Sequence, residues 1–147
     1  PRCDVGIVPP LTALDATRQG LGNAPVFLGA QDAFWMPKGA YTGRISAAML
    51  ADAKVDYCLV GHSETRGKFG KLEVPESTVP FFGETDETVN LKLKALIVEG
   101  IRPILCVGET LAEREAGRTD DVIHAQLAGA LDGVDDELVT VAYEPVW

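Results

Sequence analysis

Five short apolar runs punctuate the chain, at 3–8 (CDVGIV), 24–29 (APVFLG), 55–61 (VDYCLVG), 101–108 (IRPILCVG) and 138–144 (LVTVAYE). They are nearly continuous in apolar residues instead of alternating, the pattern of parallel strands covered on both faces. Helical spacing lies between them. "SAAMLADA" opens on Ser46, a favourable N-cap. "TDETVNLKLKALIVEG" opens on Thr85 or Asp86 as capping residues and closes at Gly100. In "TDDVIHAQLAGALDG", Val122, Ile123, Leu127, Ala130 and Leu131 form one apolar stripe that Gly133 stops. Strand and helix therefore alternate, which predicts the α/β class; doubly wound sheets and closed barrels both fit. No GxGxxG follows the first strand and no GxxxxGK[ST] occurs, so dinucleotide and nucleotide folds lose their usual support. The segment 67–83 (GKFGKLEVPESTVPFFG) has little periodicity and two prolines, and is expected to be an extended loop, the one candidate insertion in a single domain over 1–147.

Composition narrows the classes. A chain of 147 residues, 46% hydrophobic and 24% charged, is long enough for one domain with a real core. No apolar run approaches the roughly 20 residues of a membrane span, and the opening "PRCDVGIV" has no signal-peptide layout. The expectation is a cytoplasmic protein without a membrane partner. The missing initiator Met suggests processing, or a piece of something larger. A net charge of −9 with no basic stripe argues against a nucleic-acid partner. Cys3, Cys58 and Cys106 each sit in an apolar run without CxxC spacing, and read as buried, reduced thiols.

The candidate chemistry lies where the apolar runs stop. Pro9–Pro10, Gln31–Asp32, His62–Ser63–Glu64, Glu109 and Glu144 each follow a predicted strand. In a parallel α/β sheet those ends share one edge, where ligands bind. "SETR" after His62 resembles a helix start, and the positive end of a helix dipole disfavours imidazolium. A neutral ring there can donate a hydrogen bond to a carbonyl; it can equally be a satisfied core histidine. Glu144 is a candidate general base or an ion-paired structural acid. Glu64 and Glu109 precede charged stretches and read first as salt-bridge partners, and His124 reads as structural.

Taken together, "GAQDAFWMPKGAYTGRISAAML", "LVGHSETRGKFG", "FGETDETVNLKLKAL", "ILCVGETLAEREAGRT" and "VAYEPVW" resemble the triosephosphate isomerase family, in that family's order and over nearly the whole chain. The resemblance implies a (β/α)₈ barrel with its site at the C-terminal face. It implies interconversion of dihydroxyacetone phosphate and glyceraldehyde 3-phosphate, with no cofactor and no metal. It also implies Glu144 as the base and His62 as the neutral electrophile, with Ser63, Glu64, Cys106 and Glu109 supporting them. Thr42 matches the tip of a loop that enters a partner subunit, which makes Gln31 and Asp32 interface candidates in a homo-oligomer.

Departures from the family pattern carry their own expectations. Asp32 stands where the family usually has Asn, and Thr65 where it often has Arg; Asp32 is expected to weaken the contact that Thr42 would join. The 67–83 loop is longer than usual. The chain matches strands two to six of eight. The family's phosphate-binding lysine comes from an Asn-x-Lys motif ending its first strand, a motif expected to be missing from the chain, and "PVW" would be the hinge of a lid that follows. Five strands cannot close a barrel that needs eight. The 147 residues alone are therefore expected to have little or no activity. The alternative is a non-catalytic module that self-associates through open strand edges. An aldolase-type barrel would need a lysine at a strand end, and none of the five runs ends in one.

Overall fold

The computed structural model describes residues 3–70 and 74–147. Among them, five strands form one parallel sheet in chain order: β1 (Gly6–Ile7), β2 (Phe27–Ala30), β3 (Tyr57–Val60), β4 (Arg102–Val107) and β5 (Thr140–Tyr143). Four of the predicted runs contain their strand, and β2 extends one residue past its run, to Ala30. Register is fixed by pairs such as Leu59 with Ile104 and Val107 with Tyr143. This is an open part of a barrel, with helices between the strands.

Helices α2 (Ala47–Asp52), α3 (Asp86–Val98) and α5 (Thr119–Ala130) match the three predicted ones. The Ser46 hydroxyl accepts from the Met49 N–H at 3.2 Å, satisfying a donor that the first helical turn leaves free. Thr85 and Thr88 cap α3 reciprocally, and Gly100 follows its end at φ +73°. Two helices were not legible. α1 (Leu14–Leu21) places only its leucines, Leu14 and Leu21, against the core, a short apolar side, and α4 (Leu111–Glu115) contributes no buried residue.

The core lies between the sheet and the helices. Leu28, Cys58 and Leu105 from the strands and Val89, Leu93 and Leu96 from α3 are all fully buried. The α5 stripe packs as expected through Ile123, Leu127, Ala130 and Leu131, but its most buried polar member is Gln126. Two expectations change. The segment 67–83 is not simply extended: Glu76–Phe82 forms a 3₁₀ helix, with Phe82 edge-on to both Phe69 and Phe81, while residues 71–73 lie outside the described ones. Cys3 is exposed rather than buried, because it precedes the edge strand β1, where packing is thinnest; all three cysteines are free.

Candidate active site

β3 ends at Val60, and Gly61 then turns the chain at φ +75°, a conformation glycine adopts without strain. Its carbonyl accepts from Arg66 Nε at 2.7 Å, and Arg66 Nη1 pairs with Asp86 Oδ1 at 2.6 Å at the start of α3. The expected helix at "SETR" does not form. Residues 63–67 make a hydrogen-bonded turn, with the Thr65 N–H on the His62 carbonyl and the Lys68 N–H on the Ser63 carbonyl, each at 2.9 Å. Gly67, at φ +74°, ends it.

With no helix behind it, His62 is oriented by neighbouring groups. The Glu64 N–H donates to its Nδ1 at 3.4 Å, so Nδ1 accepts and Nε2 is left as the donor of the ring. Nε2 stands 3.2 Å from Glu144 Oε2. The other oxygen of Glu144, Oε1, accepts the Ser63 N–H at 2.7 Å, and the Ser63 hydroxyl reaches Oε2 at 3.4 Å. Main chain from β3 thus grips a carboxylate carried by β5. Both side chains stay accessible, His62 at 34% and Glu144 at 28% exposure.

Glu109 is the second anchor. It is fully buried beyond the end of β4. Its carboxylate accepts the Tyr143 hydroxyl at 2.9 Å, Trp147 Nε1 at 3.2 Å and Arg114 Nη1 at 3.4 Å. Arg114 also lies over the Trp147 ring, 4.4 Å from its centroid. Burial would push this carboxyl up, but its own backbone N–H together with Trp147, Tyr143 and Arg114 holds it down at about 2. Tyr143 and Trp147 flank Glu144 in sequence, so this buried charge pins both sides of the candidate base. Cys106 packs behind the site; burial and then the charge of Glu144 push its thiol up to about 11, so it stays protonated.

The remaining candidates fall elsewhere. Glu64 is largely exposed, its carboxylate 3.9 Å from His62 Nδ1, and it does not join the Ser63–Glu144 contact. His124 is exposed on α5. Thr42 sits in an exposed loop, and Gln31 donates to the Val8 carbonyl at 3.2 Å. Asp32 pairs with Lys92 at 2.6 Å, and Lys92 also pairs with the buried carboxylate of Glu84, which in turn accepts the Thr65 hydroxyl. Burial pushes the Asp32 carboxyl up in spite of Lys92. A cavity of about 560 Å³ opens beside this cluster, bounded by Gln31, Asp32, Trp35, Arg44, Phe81 and Lys92. The expectation that the chain lacks Asn-x-Lys is corrected by Asn90 and Lys92, which have that spacing but lie on α3 and not at a strand end. Among the described residues no group of three or more His, Cys, Asp or Glu is arranged to hold a metal ion.

Sequence reasoning missed Arg66, Arg114 and Gln126 as site-supporting residues. One signal was available. Gln126 lies three residues after Ile123 and four before Ala130, on the buried stripe of α5, where a polar side chain must find partners.

Comparison with known proteins points to one family. The family model for triosephosphate isomerase matches residues 1–147. The triosephosphate isomerase of Trichodesmium erythraeum is 46% identical over 144 residues, covering 98% of this chain and 54% of that protein. That of Moorella thermoacetica is 46% identical over 150 residues, covering 99% and 55%. That of Geobacter metallireducens is 42% identical over 147 residues, covering 98% and 53%. The chain spans about half the length of the curated relatives it matches.

Proposed function

The chain belongs to the triosephosphate isomerase family, and from that premise we propose that His62 and Glu144 perform proton transfer on a triose phosphate when the whole barrel is assembled. The observation that carries this reading is the 3.2 Å approach of His62 Nε2 to Glu144 Oε2, with Oε1 held by the Ser63 N–H. Glu144 takes a proton from the carbon next to the carbonyl. The developing enediol oxygen receives the hydrogen bond that Nε2–H now gives to Glu144. The hydroxyl proton on the first carbon passes to the former carbonyl oxygen by way of His62, and Glu144 returns its own proton to the neighbouring carbon, which completes the exchange of ketose and aldose. Electrons only shift between adjacent carbons, so the reaction needs no external oxidant. Dihydroxyacetone phosphate and glyceraldehyde 3-phosphate are the substrates of this reading, in cytoplasmic glycolysis and gluconeogenesis. A homo-oligomer with the Thr42 loop of one copy near Gln31 and Asp32 of another completes it, with no nucleic-acid or membrane partner.

For the 147 residues alone the proposal is little or no turnover. Both side chains are about a third exposed, and water at the site weakens every electrostatic contact that the transition state needs. Self-association is the second reading. It is favoured by the half-exposed apolar residues of the edge strands: Ile7 at 45%, Val141 at 48% and Tyr143 at 53%.

The experiment is triose phosphate isomerisation by the purified chain beside an identically prepared Glu144→Gln variant. Equal, negligible rates are expected. Turnover that vanishes in the variant would overturn the inactivity of the chain while supporting its base. Turnover that persists in the variant would reject Glu144. Light scattering on a sizing column reads association, and a compact monomer would sink the second reading.

A further inference from the structure

The Glu144 carboxylate is held by the Ser63 N–H in the turn after β3, while its main chain follows β5, the strand that pairs with β4. The ladder between β4 and β5 continues past its last pair: the Glu144 N–H donates to the Val107 carbonyl at 2.8 Å, and the Val146 N–H to the Glu109 carbonyl at 3.0 Å. Gly108 lies between these two bonds. Its backbone stands so close to the Glu144 carbonyl and to Pro145 that a Cβ at position 108 would overlap them. Gly108 is the backstop of the candidate base.

The polar groups of Gly108 go to one side chain. Its N–H donates to Gln126 Oε1 at 2.9 Å, and its carbonyl accepts from Gln126 Nε2 at 3.0 Å; both bonds are buried, and Gln126 is only 6% exposed. A primary amide presents a donor and an acceptor side by side, so it can serve a peptide unit as a neighbouring strand would. An ionised carboxylate supplies only acceptors, and an aliphatic side chain supplies neither. Both losses would leave buried backbone groups unsatisfied.

The geometry points to Gln126 as a positioning residue: by bonding both polar groups of Gly108 it fixes the backstop of Glu144, and so sets how the carboxylate meets His62 and Ser63. This rests on the reading of Glu144 as the base and deepens it. Gln126 touches neither the carboxylate nor the imidazole, and acts through the main chain of β4.

The chain has only two histidines, and His124 is exposed on α5, so a ¹⁵N-histidine spectrum contains one site imidazole and an internal reference. Glu144→Gln first defines the His62 Nε2 signal when its ionic partner is lost. Gln126→Leu is expected to move that signal most of the way to the same position, with His124 unmoved. Gln126→Glu, which keeps the size and the acceptor, should move it less. Gly108→Ala should move it from the opposite side of the same contact. The control is Asn90→Ala, which removes another buried amide that donates to the Ala130 and Asp132 carbonyls at 2.8 Å, away from Gly108. It should lower Tm and leave His62 in place.

A His62 signal that stays put in Gln126→Glu and Gly108→Ala, while Glu144→Gln shifts it, would overturn the positioning role alone. A signal indifferent to Glu144→Gln would remove the pair itself, and with it the proposed base. Movement in Asn90→Ala equal to that in the Gln126 variants would reduce Gln126 to a general packing residue.

Discussion

The strands at the middle of the sheet and those at its edges are built from similar residues but live in different solvents. β3 and β4 have a strand on each side and α3 across their helical face; Cys58, Val60, Leu105 and Val107 are at most 2% exposed. β1 and β5 have one strand neighbour each, and Ile7, Val141 and Tyr143 stand about half in water. The candidate site straddles this divide, with His62 beyond a middle strand and Glu144 beyond an edge strand. The difference teaches where precision has to be added. His62 inherits its place from the core, whereas Glu144 is held by polar fasteners: Ser63 on its carboxylate, Gly108 behind its carbonyl, and the Glu109 cluster on Tyr143 and Trp147.

The sharpest way to break this comparison is to cut the same kind of side chain from each region. Leu105→Ala, at a fully buried β4 position, should cost about 2–5 kcal/mol through lost transfer energy and the cavity left behind. Urea denaturation monitored by circular dichroism measures it.

A smaller effect separates two carboxylates by sign as pH falls. Glu109, which follows the middle strand β4 and bonds Tyr143 and Trp147 of the edge, has its folded pKa lowered from 4.5 to about 2. Its contribution to stability is present above 4.5 and is lost as pH falls from there through about 2. Asp32, beside α3, is raised from 3.8 instead. Its contribution is fully present below 3.8 and is lost as pH rises through the folded value. Stability profiles of Glu109→Gln and Asp32→Asn should therefore depart from the parent in opposite directions on acidification. Parallel departures would show that the Glu109 hydrogen bonds do not outweigh its burial.

The smallest effect is expected from Val141→Ala on β5, about 0.5 kcal/mol, because half of this side chain already faces water. A cost matching that of Leu105→Ala would mean that the edge is covered in solution, as self-association would cover it.

The same divide decided what was legible in the sequence. β2, β3 and β4 read correctly because burial demands continuous apolar runs, whereas β1 and β5 carry such runs although they are largely exposed and not covered on both faces as expected. α3 read correctly because Thr85 caps it and Gly100 follows it. α4 escaped because its signal is polar, the reciprocal bonds of Thr110 and Glu113. The turn after His62 was misread as a helix because local capping chemistry looks alike in both, and only Gly67 distinguishes them. Glu109 offered the opposite difficulty. A glutamate before charged residues reads as solvated, and nothing local reveals that Tyr143 and Trp147, more than thirty residues away, close over it.

The thiols turn the fold into its own gauge. Cys58 on β3 and Cys106 on β4 are both buried and both held as unreactive thiols, while Cys3 faces solvent. An alkylating reagent therefore counts one site on a closed molecule and three on an opened one. The rate at which the second and third sites appear is the breathing rate of the β3–β4 seam, read without any added probe.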